Sequence, residues 1–419
     1  MKILHLSTWE ERCGIATYTR QLVDALNGLG IENEVYPVNR VKLSYASLKE
    51  IEDHYLAFCE RAHEFDLIHI QHEHGFFHGS YPFNVSIKIF NLILSNLKKT
   101  RKPVLVTFHT DPAFLNIEAA PVEVDSGEVA SVGASTVSVA PGLKDKLIAA
   151  IRKKVAQLRW NINISKFFKK DSLFTAISHS KKSRLQLVKS GFDVGAIKIL
   201  VHAFPERDTD FQEEDICSIK KEIGLPRESI VLSIFGFVSK YKGYEVAIKA
   251  LSNLPSDFVL AIIGGPHPEA KEKALDDVFR TIEILSLEEP EIAKRVFITG
   301  YVETEELNKF HRATDICLAP YLPSSISASG ALTWALTSGK PVVASNIPAF
   351  RELNQKANCL RLFQPTAHRE LAWHVQRLTR DKHEQQALVK NAAAYVQAHS
   401  WRTTAKDTYS LYKAALEKR

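Results

Sequence analysis

The chain has no cysteines placed to act together: its five stand far apart, at 13, 59, 217, 317 and 359. No C-x-x-C and no cysteine–histidine zinc spacing occurs, which argues against a disulfide framework or a structural zinc. No apolar run approaches the 18 residues of a membrane span. There is no G-x-G-x-x-G, so the nicotinamide and flavin fingerprint is missing. The opening MKILHLST turns polar too soon for a secretory leader. A reducing cytoplasm fits these absences, and no nucleic-acid partner is expected. Residues 116–141 lack lysine and arginine altogether, and they read as a lid over a cleft.

What is present is ordinary in bulk: 419 residues, 45% apolar and 24% charged, enough for two or three globular domains. The net charge of +6 is unevenly spread. Residues 141–190 hold 13 lysines and arginines against 2 acids, a local net of +11. Within them Leu147, Ile148, Ile151, Val155 and Leu158 recur at helical spacing. Such a helix either lies on an anionic membrane surface or turns its apolar stripe to the core.

The pattern of strand, turn and helix starts twice. Lys2–Ser7 reads as a strand, Cys13-Gly14 as a turn, and Ile15 to Asn27 as a helix. Helices are also expected over 44–64 and 81–99, with strands at 66–71, 103–108, 173–178 and 197–201. After a polar linker at 204–215, the winding restarts with a strand at 229–235 and the glycine turn Gly236 to Gly243. It continues to a helix over 370–399 and a last one from Trp401. This is α/β: two doubly wound Rossmann-like halves, 1–203 and 216–398, facing a cleft. The final segment, 399–419, is expected to pack back on the first half.

Ligands bind parallel sheets at the carboxyl ends of their strands. Three stretches lie there. Asp315–Glu352 runs strand, Ser324–Gly330 loop, helix, strand. Its small residues and helix N-terminus suit a phosphate, and suit a serine-capped tight turn equally. His72-Glu73-His74 belongs to a loop with four histidines in ten residues. That spacing matches no standard metal site, so it reads as groups positioning a hydroxyl-rich ligand or as a structural loop. His109 closes another strand and either bonds a sugar hydroxyl or is satisfied within its loop. Asp208-Thr209-Asp210 reads as solvated linker charge ahead of a metal pair.

Seven stretches in this order and spacing are similar to family 4 glycosyltransferases of the GT-B fold: 13–26, 66–79, 104–111, 173–185, 232–251, 297–321 and 338–353. The resemblance covers almost the whole chain. It implies retaining transfer of a sugar from a nucleotide-diphosphate donor to a glycan or lipid-linked acceptor, without a metal cofactor. It places Gly14, Gly236, Gly300, Tyr301, Ser327, Ser329, Gly330 and Ala331 at the donor, with Lys242 neutralising the diphosphate. His109 meets the transferred sugar, while His72, Glu73 and His74 face the acceptor, with Glu73 assisting or orienting it. The chain departs from the family twice. Phe237 replaces an arginine, and Ile326 and Trp334 occupy the positions of two glutamates. A catalytically silent partner subunit and a phosphorylase-like enzyme are the other readings this departure allows.

Overall fold

In the computed structural model, residues 1–112, 143–205, 215–266, 273–323, 326 and 328–418 are described. The expected lid at 116–141, Asp208 and Asp210, most of the linker, and Ser327 lie outside them.

The first half runs β1 (Lys2–Ser7), α1 (Gly14–Asn27), β2 (Glu32–Pro37), α2 (Arg40–Tyr45), α3 (Leu48–Arg61), β3 (Leu67–His72), α4 (Phe83–Thr100), β4 (Val104–Phe108), α5 (Leu143–Asn163), β5 (Phe174–Ser178), α6 (Lys181–Lys189) and β6 (Ile197–Ile199). The second runs α7 (Ile216–Glu222), β7 (Ile230–Phe235), α8 (Tyr244–Leu251), β8 (Phe258–Ile263), α9 (Lys273–Glu288), β9 (Val296–Ile298), α10 (Thr304–Ala313), β10 (Ile316–Ala319), α11 (Gly330–Thr337), β11 (Val342–Ser345), α12 (Pro348–Ala357), β12 (Leu360–Phe363), α13 (His368–Arg380) and α14 (Lys382–Ala398). A last helix, α15 (Trp401–Glu417), follows.

Each half carries a parallel six-stranded sheet, ordered β2-β1-β3-β4-β5-β6 and β12-β11-β10-β7-β8-β9. Both faces of each sheet are covered, which is why the strands read as near-continuous apolar runs. Strand parity decides which face a residue joins. In β3, Ile68 and Ile70 enter one core with Phe90, Phe108 and Trp160. Leu67 enters the other, with Tyr18 and Leu22 of α1 and Trp401 and Tyr412 of α15. So α15 lies on the first half, against α1.

Two expected helices are each two. The 44–64 segment breaks at Ala46, because Ser47 and Glu50 form a capping box that starts α3. The 370–399 segment breaks at Asp381, whose carboxylate accepts from the Glu384 amide at 2.8 Å. Apolar periodicity carries through both breaks, and the capping side chains interrupt it. On α5, Trp160 is buried, while Ile151, Val155, Leu158 and Ile162 are each at least 43% exposed. Of the expected stripe, Ile151, Val155 and Leu158 face outward, while Trp160 and Ala156 pack on the core and the side chains of Leu147 and Ile148 lie outside the described residues.

The chain crosses between the halves after Ala203 and returns at His399. The two crossings touch: Phe204 pairs with Ser400, and the Phe204 amide donates to the His399 carbonyl at 3.0 Å.

Candidate functional site: a cation and two helix starts at the seam

The turn after β7 is built to hold a lysine. Gly243 has φ of +68°, and a Cβ there would stand 2.0 Å from the Pro320 carbonyl oxygen. Only glycine fits, and this close approach fixes the preceding turn, Lys240–Lys242. Gly236 has φ of +93°. A Cβ on it would meet Lys242 Nζ at 2.6 Å and the Ala331 Cβ at 3.2 Å. Gly236, Lys242 and the first turn of α11 thus converge on one spot. Lys242 is 5% exposed. Its ammonium reaches the Phe235 carbonyl at 3.5 Å, and among the described residues no carboxylate pairs with it. Burial pulls its pKa down from 10.5 to about 7.

Helix α11 starts at the same place. The Ser329 hydroxyl accepts from the Leu332 amide at 3.1 Å and lies 2.8 Å from the Tyr321 hydroxyl. It is a cap, so what Ser329, Gly330 and Ala331 offer a ligand is backbone N–H groups. No atom lies within 4 Å of a Cβ built on Gly330 or on Gly14, the first residue of α1. Neither helix has an acid in its first turn. Both starts are open and electropositive.

The first half reaches across this site. Arg12 lies 3.3 Å from Glu303 and 4.3 Å over the Tyr301 ring, which stacks on Phe237 at 6.2 Å. Thr110 forms an antiparallel bridge with Ile326 and donates to the Glu73 carboxylate at 2.9 Å. Glu352 of α12 accepts from the Lys181 and Lys182 amides at the start of α6, at 2.8 and 3.1 Å. Burial raises the Glu73 pKa, partly offset by its bond from Thr110.

His109 sits at this seam. Its Nε2 is 2.9 Å from the Gln71 amide oxygen, and its ring meets Tyr18 and His179. Burial, and then the neighbouring histidines, hold its pKa well below 6.5, so it is neutral. The side chains of His72 and His74 do not face an acceptor. His72 has the parity of Ile68 and Ile70, so its ring lies among Phe77, Phe90 and Phe108. His74 packs on Phe83 and Trp160. Both belong to the aromatic core, and of that loop only Glu73 reaches the seam. Ile326 packs on the second half's core, and Trp334 stands 6.1 Å from His311. Among the described residues no three His, Cys, Asp or Glu gather as a metal site. Arg12, Gln71 and Thr110 escaped the sequence reading. Arg12 stands two residues before Gly14, and that spacing was the available signal.

The family described as Glycosyl transferases group 1 matches residues 215–395. An uncharacterized glycosyltransferase of Methanocaldococcus jannaschii is 24% identical over 216 residues, 51% of this chain and 52% of that protein. A D-inositol 3-phosphate glycosyltransferase of Xylanimonas cellulosilytica is 23% identical over 321 residues, 76% of this chain and 67% of that one. The chain thus spans about half the length of the first relative and two thirds of the second. Among solved structures, Anabaena HepE in complex with UDP-glucose superposes with a TM-score of 0.68 at 17% identity, covering 99% of this chain and all of that one. Residues 215–395 therefore carry the pattern of the glycosyl transferases group 1 family, within a chain whose whole fold is GT-B.

Proposed function

We propose that the protein is a glycosyltransferase that takes its sugar from a nucleotide diphosphate and retains the anomeric configuration, in the manner of family 4. The observation that carries this is Lys242: a buried ammonium with no carboxylate partner among the described residues, beside the open start of α11. A diphosphate supplies the missing anion. As the glycosyl–phosphate bond loosens, negative charge builds on the leaving diphosphate. Lys242 and the backbone N–H groups of α11 stabilise it. The acceptor hydroxyl adds to the anomeric carbon on the same face and gives its proton to the departing phosphate oxygen. Neutral His109 orients the sugar, and Glu73 orients the acceptor. These steps require no metal.

UDP is the first nucleotide to test, since proteins of this fold have been solved with it. D-inositol 3-phosphate, named in the Xylanimonas relative, is the first soluble acceptor to test, and a lipid-linked glycan the second. The outward stripe of α5, flanked by exposed Lys154 and Arg159, supports docking on an anionic bilayer at the cytoplasmic face. Replacing Ile151 and Leu158 by aspartate should abolish sedimentation with phosphatidylserine vesicles and leave the melting temperature unchanged. Vesicle binding that survives both substitutions removes α5 from this role. A thermal-shift panel of UDP, GDP and ADP tests the donor reading. A ligand at 100 times its Kd adds about 2.7 kcal/mol of stability. No shift with any of the three overturns that reading and leaves the silent partner subunit.

A further inference from the structure

A run of buried polar side chains leads from α15 to His109. Tyr412, His69, Gln71 and Thr107 are each fully buried. The Tyr412 hydroxyl is 2.7 Å from His69 Nδ1, and Thr107 Oγ1 is 2.8 Å from His69 Nε2. The Gln71 amide nitrogen is 3.4 Å from His69 Nε2, and its oxygen is 2.9 Å from His109 Nε2. Strand parity makes the run: residues 69 and 71 of β3 point to the face that α15 covers, and Gln71 pairs with Thr107 in the β3–β4 ladder.

With the Gln71 oxygen turned to His109, as it stands in the structure, the donors and acceptors run in one sense. The Gln71 oxygen accepts, so His109 carries its proton on Nε2. The Gln71 nitrogen donates, so His69 Nε2 is an acceptor, for Gln71 and for the Thr107 hydroxyl alike. Burial keeps His69 neutral, so its single proton is on Nδ1, where the Tyr412 oxygen receives it.

We propose that Tyr412, His69 and Gln71 are positioning residues that fix His109 as the neutral Nε2–H tautomer, so that the C-terminal helix sets what a residue at the sugar can donate and accept. The use of this tautomer toward a sugar rests on the donor reading above. The relay itself rests on the distances. With Nε2 protonated, His109 Nδ1 can only accept, so a sugar hydroxyl that meets it donates. The opposite tautomer would reverse that preference.

The test is Tyr412→Phe, which removes one oxygen and keeps the ring in the core. Without it, the His69 proton moves to Nε2, where Thr107 accepts it. The Gln71 amide then turns its nitrogen to His109. Nitrogen-15 NMR of the labelled imidazoles should show His109 protonated on Nε2 in the parent and on Nδ1 in Tyr412→Phe. Gln71→Leu, which also leaves Tyr412 in place, should give His109 a mixture of both. An unchanged His109 spectrum in Tyr412→Phe, or a parent His109 protonated on Nδ1, overturns the relay. In the second arm, the ratio of the UDP and UDP-glucose dissociation constants should change by about 5-fold in Tyr412→Phe while UDP affinity stays constant, one hydrogen bond's worth. If the parent binds no nucleotide, the donor reading falls, and the NMR arm still decides the relay.

Discussion

Lys242 gives the donor reading its sharpest exposure to failure, because its charge depends on what lies beside it. In the empty protein burial holds the ammonium near 7 instead of 10.5, a differential solvation of roughly 5 kcal/mol. A bound diphosphate restores the charge. At pH 8 roughly nine-tenths of Lys242 is neutral before binding, so each UDP bound should draw in about 0.9 proton. Calorimetry in two buffers of different ionisation enthalpy measures that uptake directly. UDP is itself fully ionised above pH 8. From pH 8 to pH 9 its Kd should therefore rise about tenfold in the parent and stay flat in Lys242→Met. The same group leaves a mark without ligand. The folded protein releases this proton at lower pH than the unfolded chain, so stability should rise between pH 7 and 10.5, and Lys242→Met should remove that rise. A UDP affinity that is flat with pH in the parent, or undiminished in Lys242→Met, would refute the assignment of this lysine to the diphosphate.

Two further predictions follow from packing. Gly236→Ala forces a left-handed φ on alanine and places its Cβ against Lys242 Nζ; it should cost about 1–3 kcal/mol of stability and weaken UDP binding, read by urea titration and calorimetry. Trp401 is buried on α15 with its ring 5.0 Å from Tyr18; Trp401→Ala should cost about 3–5 kcal/mol, seen as a lowered urea midpoint.

The two-sheet architecture was legible because strands covered on both faces are continuous apolar runs, and glycine turns separate them from the helices. The strand-to-helix turns that carry Gly236, Lys242, Gly330 and Ala331 were legible for the same reason, while the donor role expected of these residues came from the family resemblance. The direction of His72 was also open to reading, since residues 68, 70 and 72 share a face, but a polar residue at a strand's end suggests a ligand before it suggests a core. Capping by Ser47 and Asp381 hid inside helical periodicity. The pairing of Thr110 with Ile326, and of Tyr412 with His69, joins residues hundreds of positions apart. Local pattern carries no trace of such partners.

The bridge between Phe204 and Ser400 bears on how the two halves are joined. The two crossings are fastened side by side, so the chain leaves the first half and returns to it at one joint. Arg12 with Glu303, and Thr110 with Ile326, are then latches across the gap. The exposed Arg12–Glu303 pair is worth at most about 1 kcal/mol, so it adds little to what holds the halves together. The register of the two halves is thus set both at this joint and at the seam, where Thr110 meets Ile326 and Glu352 accepts from the Lys181 and Lys182 amides.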